Sequence, residues 1–111
     1  MNVTATIVAS EYVEAYAGIT AQGKPADSRV LSQMGKVVGV TTRSIGRGFA
    51  GEVQLIGELV NPAWRWTAGD AVFINGTKLA ATPPASGWVK KVGVAKNQTT
   101  IIVDLGEAIL L

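Results

Sequence analysis

The residues best suited to chemistry or recognition lie close together at Trp64-Arg65-Trp66, between an Asn61-Pro62 break and a Gly69-Asp70 turn. In extended chain, side chains two apart share a face. Trp64 and Trp66 therefore predict one aromatic surface, with the Arg65 guanidinium on the opposite side. Trp88 is the third tryptophan of a chain that is only 6% aromatic. Paired tryptophans plug a core or a barrel end, or anchor a subunit or ligand contact, where Trp and Arg are enriched. With Trp88 they can also form a stacking platform for a sugar ring. Such platforms carry several Asn, Asp or Gln beside the rings, and only Asn61 and Asp70 qualify here.

Two stretches imitate nucleotide sites. Gly18-Ile19-Thr20-Ala21-Gln22-Gly23-Lys24-Pro25 keeps the phosphate-loop spacing as far as the lysine, but the next position must supply a hydroxyl for magnesium and open a helix. Pro25 does neither. Gly46-Arg47-Gly48-Phe49-Ala50-Gly51 spells the dinucleotide fingerprint, which needs a strand before it and a helix after it. A strand pattern follows instead, so both stretches read as loops. The eight acids (Glu11, Glu14, Asp27, Glu52, Glu58, Asp70, Asp104, Glu107) show no helical pair and no calcium-loop spacing. The chain has no histidine and no cysteine. That removes the commonest general base and metal ligand, the thiol nucleophile and any disulfide framework. No serine stands at a Ser-x-x-Lys spacing. The expectation is a protein that is not an enzyme and holds no cofactor and no metal.

The elements that position these residues are almost all extended. Lys36–Thr42, Glu52–Val60, Ala71–Asn75, Thr77–Ala81, Trp88–Ala95 and Thr99–Leu105 read as strands, rich in β-branched residues and bounded by Gly and Pro, and Ala108–Leu111 closes the chain, apolar to its last residue. Asn75-Gly76 is the strongest hairpin signal. Thr82-Pro83-Pro84-Ala85-Ser86-Gly87 is a stiff connector, and Lys96-Asn97-Gln98 is a tight turn. Ser28–Met34 predicts a helical turn or ordered loop. Glu11–Tyr16 alternates like a strand, although Glu and Ala make a short helix its rival. Gly18–Asp27 reads as a run of turns. Residues 1–10 read as an extended arm and 11–111 as one domain. Many short strands at short spacing give an all-β fold, a small single-domain β-barrel or β-sandwich. Lys36-Val37-Val38-Gly39-Val40 is echoed by Lys90-Lys91-Val92-Gly93-Val94. Each predicts a glycine where a strand bends or another backbone comes close.

Composition narrows the class further. Charged residues are 16% of the 111 and hydrophobic residues 48%, against a usual quarter charged. Such a chain is expected to hide apolar surface against a partner. The ten basic residues are scattered and the formal charge is only +2, so no stripe tracks a phosphate backbone and no nucleic-acid partner is expected. No apolar run reaches the ~18 residues of a membrane span. Met1–Val8 lacks the charged start and long apolar middle of a secretion signal.

The chain from Gly18 to Leu105 resembles a family of small virion proteins of tailed bacteriophages: capsid decoration, head-fibre and tail-fibre-associated proteins. The resemblance rests on Gly35-Lys36-Val37-Val38-Gly39-Val40-Thr41 and on Gly51-Glu52-Val53-Gln54 leading to Gly57-Glu58. It continues through Asn61-Pro62-x-Trp64-x-Trp66-Thr67-x-Gly69-Asp70-x-Val72-Phe73 and Thr82-Pro83-Pro84-x-Ser86-Gly87. It ends in Val92-Gly93-Val94-Ala95 before Ile101-Ile102-Val103-Asp104. Relatives often place proline where Ala68 stands, and residues 1–17 fall outside the likeness. It implies a small β-barrel that assembles, often as a trimer, on the exterior of a virion in a bacterial host. The partners would be further copies of the chain and the major capsid protein.

With the partner that the resemblance implies, the arm segment Val3, Thr4, Ala5, Thr6, Ile7 and Val8 is expected to add as a strand to an exposed sheet edge of the capsid protein, or else to be disordered or held within its own chain. The alternative reading is a tail-fibre or receptor-binding module that recognises a glycan or protein through Trp64, Trp66 and Trp88. A tail-tube or joining part, in a ring of more than three copies, is a weaker third.

Overall fold

The structure, a computed structural model, describes residues 2–111. Nine strands follow in order: β1 (Val3–Val8), β2 (Gly18–Thr20), β3 (Val37–Thr41), β4 (Ala50–Val60), β5 (Ala71–Asn75), β6 (Lys78–Ala80), β7 (Trp88–Ala95), β8 (Thr100–Asp104) and β9 (Ala108–Leu110). One 3₁₀ turn, Leu31–Gln33, lies between β2 and β3. The fold is all-β, a nearly closed barrel-like sheet.

β4 is the strand on which the sheet divides. Gln54 pairs with Thr4 of β1 and with Val40 of β3, while Ile56 pairs with Val3 of β1 and with Asp104 of β8. A residue paired twice must hold its partners on opposite edges, because its backbone groups serve one edge and those of its neighbours the other. β1 therefore runs along one edge of β4, and β3 and β8 follow one another along the other. From β8 the sheet continues through β7 to β5 and β6. After Leu105-Gly106-Glu107 the chain returns to β7 as β9, with Trp88 opposite Leu110.

Alternation places the core. Val37 and Val40 of β3, Leu59 of β4, Val72 and Ile74 of β5, Trp88 and Val92 of β7, and Ile101 and Val103 of β8 form the main cluster. Each fully buried side chain of this kind contributes roughly 1.5–3 kcal/mol of transfer free energy before the entropy of ordering is set against it. A second cluster joins Ala9, Val13, Ala17, Ile19, Ile45 and Val53, with Ile7, Val38 and Leu55 packed beside it.

The Asn75-Gly76 hairpin forms between β5 and β6, with Gly76 in the left-handed region its turn requires. The two echoed glycines sit where another backbone approaches. A Cβ on Gly39 would lie 2.6 Å from the Gln54 carbonyl oxygen, and one on Gly93 would overlap that of Ile102. The helical turn expected in Ser28–Met34 is the 3₁₀ turn.

Two expectations are corrected. Gly18–Asp27 is not all turns, because Gly18–Thr20 is a fully buried strand on β3. Glu11–Tyr16 is neither strand nor helix. Val13 makes a single reciprocal bridge to Ile45 (N–H to carbonyl 2.9 and 2.8 Å), and Tyr16 then turns the chain with φ 56°. The segment expected as an arm is extended and pairs along β4 of its own chain, from Val3 opposite Ile56 to Val8 opposite Ala50. This is the intramolecular alternative weighed above.

Candidate functional site

After β4 ends at Val60, Pro62 blocks further pairing and the chain continues as an irregular segment to β5. Backbone bonds staple it to the β7–β8 turn. The Asn61 amide donates to the Thr99 carbonyl (2.9 Å), that of Trp66 to Gln98 (2.9 Å) and that of Gly69 to Ala95 (2.8 Å). Asn61 Oδ1 accepts from the Ala63 amide and Asp70 Oδ2 from that of Thr67, which tightens each bend. These bonds give Asn61, Gly69 and Asp70 structural work.

Within this frame Trp64 and Trp66 fall on one side, as their spacing predicts, with ring centroids 5.7 Å apart and planes at 58°. Tyr16 meets Trp64 edge-on at 5.0 Å. All three are partly buried and packed against the main core. Arg65 points to solvent and folds back, donating from Nη1 to the carbonyls of Pro62 (3.0 Å) and Trp64 (2.7 Å). Trp66 Nε1 is buried without a hydrogen-bond partner.

Trp88 belongs elsewhere. It is 0% exposed, and its Nε1 donates to the Val30 carbonyl at 2.8 Å. An exposed platform of three tryptophans is therefore absent, and the glycan alternative keeps only the half-buried Trp64 and Trp66. The Trp88 amide also donates to the Ser28 carbonyl (3.0 Å), and the next carbonyl back, Gly87, accepts from the Leu111 amide (2.9 Å). Gly87-Trp88 thus ties down both the 28–34 loop and the C-terminal tail.

Both segments expose apolar side chains. Val30, Leu31 and Met34 are 39, 59 and 41% exposed, and Ile109, Leu110 and Leu111 are 60, 59 and 56% exposed. Neither Val30–Met34 nor Ala108–Leu111 contains a charged residue. The sequence flagged only the apolar tail. The loop's contribution depends on the long-range bonds of Trp88, and nothing local announces those.

The nucleotide-like stretches commit several of their backbone amides to their own chain. Thr20 donates to the Lys24 carbonyl, Ala21 to Lys36 and Gly23 to Thr20, while the Lys24 amide donates to Thr20 Oγ1. In the second stretch Gly48 donates to the Ala9 carbonyl and Phe49 to Gly46 before β4 begins. Among the described residues no cluster of three metal-ligating side chains occurs, and no helix is long and apolar enough to cross a membrane.

Two ionisable groups are perturbed by structure. Burial pushes the Lys90 ammonium below its ordinary range, partly opposed by the charge of Glu107, and Nζ donates to the Gly106 carbonyl at 2.7 Å. Its place beside Trp88 and Val92 on the inward side of β7 makes it a core residue with a polar end. Asp27 is held below the usual carboxylate range by its side-chain hydrogen bond with Arg29, which grips it from Nε (2.9 Å) and Nη2 (2.8 Å).

The arm residues also alternate. Val3, Ala5 and Ile7 are half-buried, whereas Thr4, Thr6 and Val8 are exposed. Comparison of the chain with protein-family models, curated proteins and solved structures found no match.

Proposed function

We propose that this chain is a non-enzymatic structural protein of a tailed-bacteriophage virion, a capsid decoration or head-fibre protein. It assembles with copies of itself, in the trimeric form that the resemblance implies, and docks on the outer surface of the major capsid protein shell. It is made and assembled in the bacterial cytoplasm and ends on the particle exterior. No nucleic acid, membrane or cofactor takes part.

The observation that carries this reading is the pair of apolar segments held by Gly87-Trp88, with Val30, Leu31 and Met34 exposed on the loop and Ile109–Leu111 exposed on the tail. Large exposed apolar side chains on segments anchored to the same rigid point support an interaction site. It rests on a rigid frame, since Trp88 fixes the loop through two hydrogen bonds. A standard interface of ~1,600 Å² gains from apolar burial at roughly 25 cal/mol per Å², reduced by immobilisation. Repetition over a symmetric shell then converts modest contacts into lasting attachment.

The test is co-sedimentation of the purified protein with shells lacking it. The Leu31→Lys/Leu110→Lys double variant places charge on exposed positions and leaves the core intact. The wild type pellets with shells and the variant stays in the supernatant. Equal pelleting of both refutes this surface as the docking site. Removing residues 1–10 is a poorer probe, because it deletes a strand of the fold.

A further inference from the structure

We infer that the outer edge of β1 pairs with β1 of a second copy, antiparallel about a two-fold axis, so that one sheet runs through two chains. Six residues long, β1 is bonded along one edge to β4. Among the described residues no hydrogen bond reaches the other edge from Thr4 to Ile7. Proteins defend such edges with charge, proline, a bulge or short length. The other outlying strands show these devices: β6 and β9 have three residues each, β6 carries Lys78, and β2 is bridged by Pro25.

β1 has only one irregularity, the register shift against β4 between Val3 and Thr4 at its start. Asn2–Ser10 contains no charged residue, no proline and no glycine. A neutral, β-branched edge of this length aggregates unless something covers it. Exposed apolar side chains stand at its end, with Val8 60% and Phe49 71% exposed.

A second copy fits this edge for reasons of charge and register. Self-pairing brings no like charges together. It must also keep the two inward faces on the same side, so a half-buried residue must meet a half-buried one. Centring the axis on Ala5 does so, setting Val3 opposite Ile7 inside and Thr4 opposite Thr6 outside. Ile7 already packs on the second apolar cluster, so the pairing extends that cluster across the axis. Cross-strand Thr–Thr and branched aliphatic pairs are favourable. The contact is separate from the shell-docking surface and adds to any ring that a trimer forms.

Thr4→Lys/Thr6→Lys places like charges face to face across this axis on exposed positions, and Thr4→Glu/Thr6→Glu does the same with acids. By sedimentation, the wild type has a mass that is an even multiple of 11.5 kDa. Each double variant has half that mass, and mixing the lysine and glutamate variants restores it. A monomer, an odd multiple, or an even mass that the charges leave unchanged overturns the inference. None of these results bears on whether the protein pellets with shells.

Discussion

Gly87 holds together the end of the molecule proposed as the docking surface, and alanine there is the sharpest probe of it. Gly87 and Gly69 both lie in the left-handed region, at φ 85° and 92°. Alanine in that conformation costs roughly 1–2 kcal/mol at either site. The surroundings differ. A Cβ on Gly69 meets nothing within 4 Å, whereas one on Gly87 would overlap the Ser28 carbonyl oxygen and lie 3.0 Å from the Ser28 carbonyl carbon. Ser28 is not free to retreat. Its carbonyl accepts from Trp88, its amide donates to Gly76 (3.0 Å), and its Oγ accepts from the Gly76 amide (2.8 Å). Displacing it loses hydrogen bonds at about 1 kcal/mol each and loosens the lid over Trp88, whose full loss of packing would be worth about 3–5 kcal/mol. Gly87→Ala should therefore lower stability by about 3–5 kcal/mol and Gly69→Ala by about 1–2 kcal/mol. Urea unfolding followed by tryptophan fluorescence measures both, with the slope against urea as the check on two-state behaviour. Equal losses for the two variants would refute the reasoning, since only the contact with Ser28 separates them.

Three further outcomes follow from the same geometry. Lys90 is depressed from its ordinary 10.5 by burial, so the unfolded chain binds the extra proton between the lowered value and 10.5, and stability rises with pH across that window. Lys90→Met should therefore be more stable than the wild type near neutrality, with the advantage shrinking as pH climbs through the window; a constant difference contradicts the burial effect. Asp27 is depressed below 3.8 by its hydrogen bond with Arg29, so the wild type should lead Asp27→Asn in stability above that value and lose its lead as acid protonates the carboxylate, as urea titrations on the acid side will show. Trp88→Phe should remove the emission most resistant to iodide quenching, because Trp88 is fully enclosed and Trp64 and Trp66 are only half-buried; unchanged resistance would place Trp88 nearer solvent than the structure does.

Local rules made part of this fold legible. Asn-Gly announced β5–β6 because glycine readily takes the left-handed conformation the turn requires, at φ 62° in Gly76. The two Val-Gly-Val runs announced close backbone approach because a side chain would collide there. The spacing of Trp64 and Trp66 gave their shared side even though the segment is not a strand, since an irregular extended chain keeps the alternation.

What stayed hidden was non-local. β2 is three residues inside a stretch rich in Gly and Pro, and it is a strand only because β3 supplies its partner. The double use of β4, with β1 on one edge and β3 and β8 on the other, leaves no mark in its own residues. Lys90 read as one of the scattered basic residues. Its alternation with Trp88 and Val92 was the available sign that it faces inward. Trp88 grouped with the other tryptophans by type, but its bonds to the 28–30 loop place it in a different part of the molecule.

The central claim is that this protein acts by attachment to a larger shell through its exposed surfaces. The most direct measurement is cryo-electron microscopy of shells incubated with the purified protein. The account predicts ordered density on the outer face, with the Val30–Met34 loop and the Ile109–Leu111 tail turned toward the shell. Bare shells at saturating protein, or density attached through the Trp64–Trp66 end, would contradict it.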